Sequence, residues 1–245
     1  MSVHNQSTHI CINKIYEHKE TIMFEIKKIS KSFGRKKVLS SVSFNVEPGS
    51  CVGLLGINGS GKSTLLNILA GCIKADSGSF GFTGSGKRIS FLPQDNPLIP
   101  ELSAIDNIKL WHSGGNKVLT SEYAVSILEK LGVNAFLHKK VKDMSGGMRK
   151  RLSLAITMME APDLLLLDEP LAALDMLCKN GILSYLTEYR NSGGSIIIAT
   201  HEAAALNICT TVNILRNGTM TVVQGSGSRP VSYTHLRAHE TSAHL

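Results

Sequence analysis

Residues 51–71, CVGLLGINGSGKSTLLNILAG, constrain this chain more than any other stretch. Cys51–Leu55 is short and apolar, which suits a buried strand. A glycine-rich turn follows, then an amphipathic helical pattern. Gly56-x-x-x-x-Gly61-Lys62-Ser63 is a complete phosphate-loop pattern in the strand–turn–helix setting it requires. Glycine lets backbone N–H groups approach an anion without a Cβ in the way. A helix starting near Gly61 aims the positive end of its dipole at that anion. Lys62 is expected on the β- and γ-phosphates of a nucleotide, and Ser63 is expected to offer a hydroxyl to Mg²⁺. A chance Gly/Ser-rich turn is the competing reading. Gly59 and the Lys-Ser-Thr exit disfavour it.

A second constellation is DLLLLDEP, residues 163–170. Four leucines in a row suit a strand buried on both faces, as in a parallel sheet. Asp168 and Glu169 then stand at its C-terminal end, where open α/β sheets hold ligands. Asp168 is expected to hold Mg²⁺, and Glu169 to accept the proton of an attacking water. Taken alone, a solvated carboxylate pair is an equal reading; the phosphate loop decides against it. SIIIAT, residues 195–200, reads as another buried strand, so His201 also stands at a strand's C-terminal end. Ser145-Gly146-Gly147 precedes a helix expected to bury Leu152, Ala155, Ile156 and Met159 on one face. A serine and two flexible backbones at a helix start form a second anion site. The two anion sites need not face each other within one chain.

The 245 residues suit one large domain or two small ones. With 42% hydrophobic and 18% charged residues, the chain is not disordered, collagenous or a disulfide mini-protein. No apolar run approaches the about 18 residues of a membrane span. The net charge of +7 comes from scattered positives. Its dense patches, Lys27/Lys28/Lys31/Arg35/Lys36/Lys37 and Lys139/Lys140/Lys142, lack a nucleic-acid-binding motif, so no nucleic acid is expected. The five cysteines include no CxxC pair, which leaves zinc without support and buried reduced thiols as the default.

Taken in order, these elements resemble the nucleotide-binding domain of ATP-binding cassette (ABC) ATPases over residues 24–224. The resemblance implies an α/β fold: a P-loop NTPase core with a mixed sheet, an antiparallel β region and a helical insertion subdomain at about 95–160. It implies that Gly56, Asn58, Gly59, Ser60, Gly61, Lys62, Ser63 and Thr64 bind ATP. Gln94 in FLPQ would reach Mg²⁺ and water and sense a membrane partner. His201 in ATHE would serve the γ-phosphate and the attacking water, beside Glu169. The implied metal set is thus Ser63, Gln94 and Asp168. Ser145, Gly146 and Gly147 would close the ATP of a second ABC ATPase chain, identical or not, and Asp175 in LAALD would shape that contact. Phe33 in KSFG stands where a tyrosine usually stacks on adenine; a ring face suffices, and a plain core residue is the alternative. ATP and Mg²⁺ are the implied cofactors. The implied partner is a polytopic membrane permease docked around residues 94–111, which places the chain at the cytoplasmic face of the cell membrane.

Two departures stand out. Met148 replaces a glutamine, which resembles members serving drug or antibiotic exporters and other ABC-2-type permeases. Ala173 replaces a serine, which weakens water-mediated contacts across a dimer. Three functions remain open here: the energy-coupling ATPase of a transporter, with Met148 favouring an exporter; a soluble ABC ATPase without transport; and a module that binds ATP without turnover. Intact Lys62, Asp168, Glu169 and His201 disfavour the last. One cassette, and a short separation between Gln94 and Ser145, disfavour ribosome-acting and DNA-repair members.

The expected strands are 24–29, 42–46, Cys51–Leu55, 79–82 and 88–92, with a helix at Lys62–Leu69 and helical structure over 103–137. Ser103 should cap a helix that packs Ile105, Ile108 and Trp111. GGNK at 114–117 should turn. Residues 1–22 read as a translated leader or a disordered arm, 23–224 as the ATPase domain. Residues 225–245 read as translated sequencing-adapter DNA, with a His-rich metal tract as the weaker alternative.

Overall fold

The computed structural model describes residues 23–112 and 121–223. The expectations for 1–22, for the 114–117 turn and for residue 224 onward lie outside the described residues. The chain opens with β1 (Phe24–Phe33), β2 (Lys36–Val46) and β3 (Cys51–Leu55), then α1 (Lys62–Leu69), β4 (Ser77–Phe82) and β5 (Ile89–Leu92). Three helices follow, α2 (Ala104–Trp111), α3 (Glu122–Lys130) and α4 (Gly146–Met158). The chain then continues through β6 (Leu164–Asp168), α5 (Met176–Asn191), β7 (Ser195–Ala199), α6 (Ala203–Leu206), β8 (Thr211–Arg216) and β9 (Thr219–Val223).

Two sheets result. One is antiparallel, in the order β2-β1-β4. The other has the order β5-β6-β7-β3-β8-β9, parallel except for the β8–β9 hairpin. β1 and β2 run further than their alternation suggests. Register shifts break the period, and Lys28 (φ 51°) and Ser41 (φ 55°) take left-handed conformations within the strands. The β8–β9 hairpin is absent from the sequence reading, although Asn217-Gly218 marks it. Both residues have positive φ, 48° and 78°, as a tight hairpin turn demands.

β6 is buried along its whole length. Leu164 and Leu166 join the cluster made with Leu65, Leu66 and Ile68 of α1 and with Phe24 and Ile26 of the antiparallel sheet. Leu165 and Leu167 face the opposite cluster, with Leu152 and Ala155 of α4 and Ile182 and Leu186 of α5. Each such leucine contributes about 1.5–3 kcal/mol of burial. The parallel sheet is thereby clamped from both faces, which fixes the ends of its strands.

Two helix faces differ from the sequence expectation. In α2 the buried residues are Ala104, Asn107 and Ile108, while Trp111 is 49% exposed. Asn107 turns inward because the loop before the helix needs it. Its carbonyl oxygen accepts from the Ile99 N–H at 2.8 Å, and its amide donates to the carbonyls of Ile99 and Ser103. The Ser103 cap is present, its hydroxyl accepting from the Asp106 N–H. In α4, Lys150, Ser153, Leu154 and Met158 are buried with Leu152 and Ala155, while Ile156 and Met159 are half-buried. Contacts with β5, α2 and α3 surround this helix on more than one side, so a single apolar stripe understates it.

Candidate active site

The C-terminal ends of β3, β6 and β7 meet at one edge of the parallel sheet. Leu54 and Asp168 both pair in register with Ala199. The loop after β3, the carboxylates ending β6 and the histidine after β7 are therefore brought together from distant parts of the sequence. They line an open cleft of about 610 Å³. Its wall includes Asn58, Gly59, Gly61, Lys62, Ser63 and Thr64 from the glycine loop and α1. Gln94, Asp168, Glu169 and His201 face them, and Phe33 stands at the rim.

The loop's shape follows from two glycines. A Cβ on Gly56 would sit 2.4 Å from the Leu215 carbonyl oxygen and 2.5 Å from the Ser60 hydroxyl oxygen. Gly61 has φ 108° and is hemmed in by Val38 and Leu39. Gly56 and Ser60 shape the loop from behind, while Asn58, Gly59, Gly61, Lys62, Ser63 and Thr64 form the cleft wall. Ser60 is buried beside Gly56. Lys62 is buried, and its ammonium donates to the carbonyls of Gly56 at 2.7 Å and Ile57 at 3.4 Å. Phe33 is 52% exposed, with the Lys31 ammonium 5.4 Å from its ring centre. The core alternative for Phe33 is thereby removed.

Asp168 is buried, and both it and Ser63 line the cleft. Burial pushes the Asp168 carboxyl up, as does the Glu169 charge; the Ser63 hydroxyl and the Lys62 and Lys150 charges oppose this. Its Oδ1 has no hydrogen-bond partner among the described residues. An orphaned carboxylate oxygen beside a hydroxyl and an amide suits a hard divalent cation that keeps several waters. Among the described residues, no three His, Cys, Asp or Glu side chains form a fuller metal cage.

Glu169 has φ 46°, a left-handed conformation that costs about 1–2 kcal/mol. Its N–H donates to the Ala199 carbonyl at 2.9 Å, which pins the strained backbone to β7. Glu169 Oε1 lies 2.8 Å from His201 Nδ1, within hydrogen-bonding distance. Glu169 Oε2 is buried without a partner among the described residues. Ala173, where the serine is replaced, is a further left-handed residue at φ 58°.

Ser145 caps α4, accepting from the Met148 N–H at 3.2 Å. Ser145 and Gly147 do not line this cleft. They line another hollow, together with Asp175, Leu177 and Cys178. The sequence reading missed Lys36, Val38 and Ala172 on the cleft wall and Lys150 beneath it. Only the pairing of β1 with β2 brings Lys36 and Val38 here, and nothing local signals it.

The ABC transporter family model matches residues 39–172. That span is more than half of the chain. The chain belongs to the ABC transporter family. It is an ATP-binding, ATP-hydrolysing subunit that powers a transporter. Over 213 residues it is 29% identical to the linearmycin resistance ATP-binding protein LnrL of Bacillus subtilis, covering 82% of this chain and 68% of that protein. Over 191 residues it is 33% identical to the lantibiotic transport ATP-binding protein SrtF of Streptococcus pyogenes, covering 73% and 80%. Among solved structures, a nucleotide-free ATP-binding cassette from an ABC transporter aligns with TM-score 0.71 and 25% identity, over 84% of this chain and 92% of that one. A cassette in its ADP conformation aligns with TM-score 0.70 and 26% identity, over 83% and 91%. These neighbours share the α/β P-loop NTPase architecture. No helix of the described residues is long and apolar enough to cross a membrane.

Proposed function

We propose that this cleft is one hydrolytic half-site of an ATPase dimer that drives a membrane permease in export. The observation that carries the reading is the convergence of Lys62, Asp168, Glu169 and His201 in one cleft, with His201 bonded to Glu169 at 2.8 Å. Backbone N–H groups of the glycine loop and the start of α1 hold the phosphates of ATP. Lys62 compensates charge on the β- and γ-phosphates, and the Phe33 ring stacks on adenine. Ser63, Asp168 and Gln94 hold Mg²⁺, which when bound neutralises charge on the phosphates. Glu169 accepts the proton of the attacking water, while His201 holds its carboxylate through Oε1. The rest of the catalysis is positioning and electrostatics, because phosphoryl transfer leaves little covalent work to the protein.

Ser145, Gly146 and Gly147 complete the site of a second ATPase chain. Their separation from this chain's own cleft supports that arrangement. The permease docks at a neighbouring groove of about 290 Å³, walled by Phe91, Pro93, Leu98, Trp111 and Ile156. That contact holds the chain at the cytoplasmic face of the membrane. Export is supported by Met148 and by the transport and resistance names of LnrL and SrtF.

The test is co-purification of the full tagged chain from its source cell after mild detergent extraction. A polytopic membrane protein should remain attached. Recovery of soluble partners alone would contradict the transport reading.

A further inference from the structure

Lys150 lies in α4, well inside the helix capped by Ser145, and is 4% exposed. A buried ammonium is costly, and an apolar side chain would fill the same volume more cheaply. Its placement suggests what the charge is for. Lys150 Nζ donates to the main-chain carbonyl of Gln94 at 3.0 Å. The Asp168 and Asp95 carboxylates act on it through space.

The bond joins two walls. Gln94 lines the nucleotide cleft, while its neighbours Pro93, Pro97 and Leu98 line the groove. Ser153, Ile156 and Thr157 line the same groove from α4. Lys150 therefore fastens the loop shared by cleft and groove to the helix that begins at Ser145 and ends in the groove. A main-chain acceptor makes the tie independent of which way the Gln94 amide points.

We propose that Lys150 is a positioning residue whose bond to Gln94 makes residues 93–98 and α4 move as one body, so that nucleotide in the cleft is felt in the groove. This rests on the ATPase reading of the cleft. Lys150 does not touch nucleotide; it acts through Gln94.

The chain supplies its own reporter. Trp111 is its single tryptophan, half-exposed on the groove wall. The full chain is compared as wild type, Lys150→Met, Lys150→Gln and Lys150→Arg. For each, kcat and KM for ATP are measured, together with the change in tryptophan emission on adding Mg²⁺ and ATP. Wild type should respond. Lys150→Met should keep KM within about threefold, lose about tenfold in kcat and lose the emission response. Lys150→Arg, which keeps charge and reach, should restore at least half of both. Lys150→Gln keeps a polar side chain without the charge, and carries the same expectation as Met if that variant does not fold.

Normal turnover and a normal emission response in Lys150→Met, or in Lys150→Gln if it stands in, overturn the inference. So does an arginine variant as impaired as methionine with KM equally raised, which marks simple packing. A wild-type emission that ignores ATP overturns it as well. A wild-type chain that neither binds nor hydrolyses ATP overturns the cleft reading itself; wild-type turnover beside an unaffected Lys150→Met overturns only the inference.

Discussion

His201 Nδ1 lies 2.8 Å from Glu169 Oε1, joining the residue after β7 to the strained residue after β6. The pair is asymmetric, with Glu169 9% and His201 64% exposed at the side chain. The imidazole thus sets the orientation of the carboxylate. The two residues should therefore behave as one unit. His201→Ala should lower kcat by about 10²-fold with nucleotide affinity retained, and in a Glu169→Gln background it should cost less than about threefold more. Phosphate release from the four proteins of the cycle measures this; fully multiplicative losses would separate their roles.

Phe33 offers a half-exposed ring at the cleft rim. Removing a stacked ring costs about 1–3 kcal/mol per base. Phe33→Ala should therefore weaken ATP binding by that amount, and Phe33→Tyr should match wild type. Titration with a fluorescent ATP analogue reads both. Equal affinity in all three proteins would take the ring out of the site.

Asn107 is fully buried and satisfies three main-chain groups of the segment before α2. Asn107→Ala leaves the Ile99 N–H without its acceptor, at about 1–3 kcal/mol, while the Ile99 and Ser103 carbonyls keep the main-chain donors Leu102 and residue 107. For a domain of this size, Tm should fall by about 5–10 °C. A thermal melt followed by circular dichroism checks it, and an unchanged Tm would show that the segment repacks.

Asp163 ties the start of β6 to the residues before β5. Lys87 donates to Oδ1 at 2.8 Å and the Arg88 N–H to Oδ2 at 2.9 Å. Burial pushes its carboxyl up, but the Lys87 and Arg88 interactions outweigh this and hold it below the ordinary value. The ionised form is thus favoured by folding. Its contribution is present above the unfolded value of about 3.9 and is lost as pH falls through the lower folded value. The ion pair is partly exposed, so it is worth less than about 1 kcal/mol. Asp163→Asn should lower Tm by a few degrees at pH 7, and the gap should narrow as pH drops below about 4. A gap that widens in acid would reverse the sign.

The ends of β3, β6 and β7 were legible in the sequence because the chemistry is contiguous there. Phosphate loop, paired carboxylates and His201 each follow an apolar run that can only be a buried strand. Asn107 and Lys150 were not legible. Each is a polar residue on a buried helix face, and its partner is a main-chain carbonyl or N–H that no side-chain pattern reveals. Trp111 misled for the opposite reason: an apolar residue at helical spacing belongs in a core unless a groove needs a wall.

The most direct test of the account is Glu169→Gln in the full chain. Bound ATP and phosphate release are measured on the same purified sample, beside wild type. The amide keeps the shape and the oxygen facing His201 but cannot take a proton from water. ATP should bind as in wild type while hydrolysis falls by about 10²–10⁴. Hydrolysis at the wild-type rate would contradict the assignment of Glu169 and, with it, the reading of this cleft.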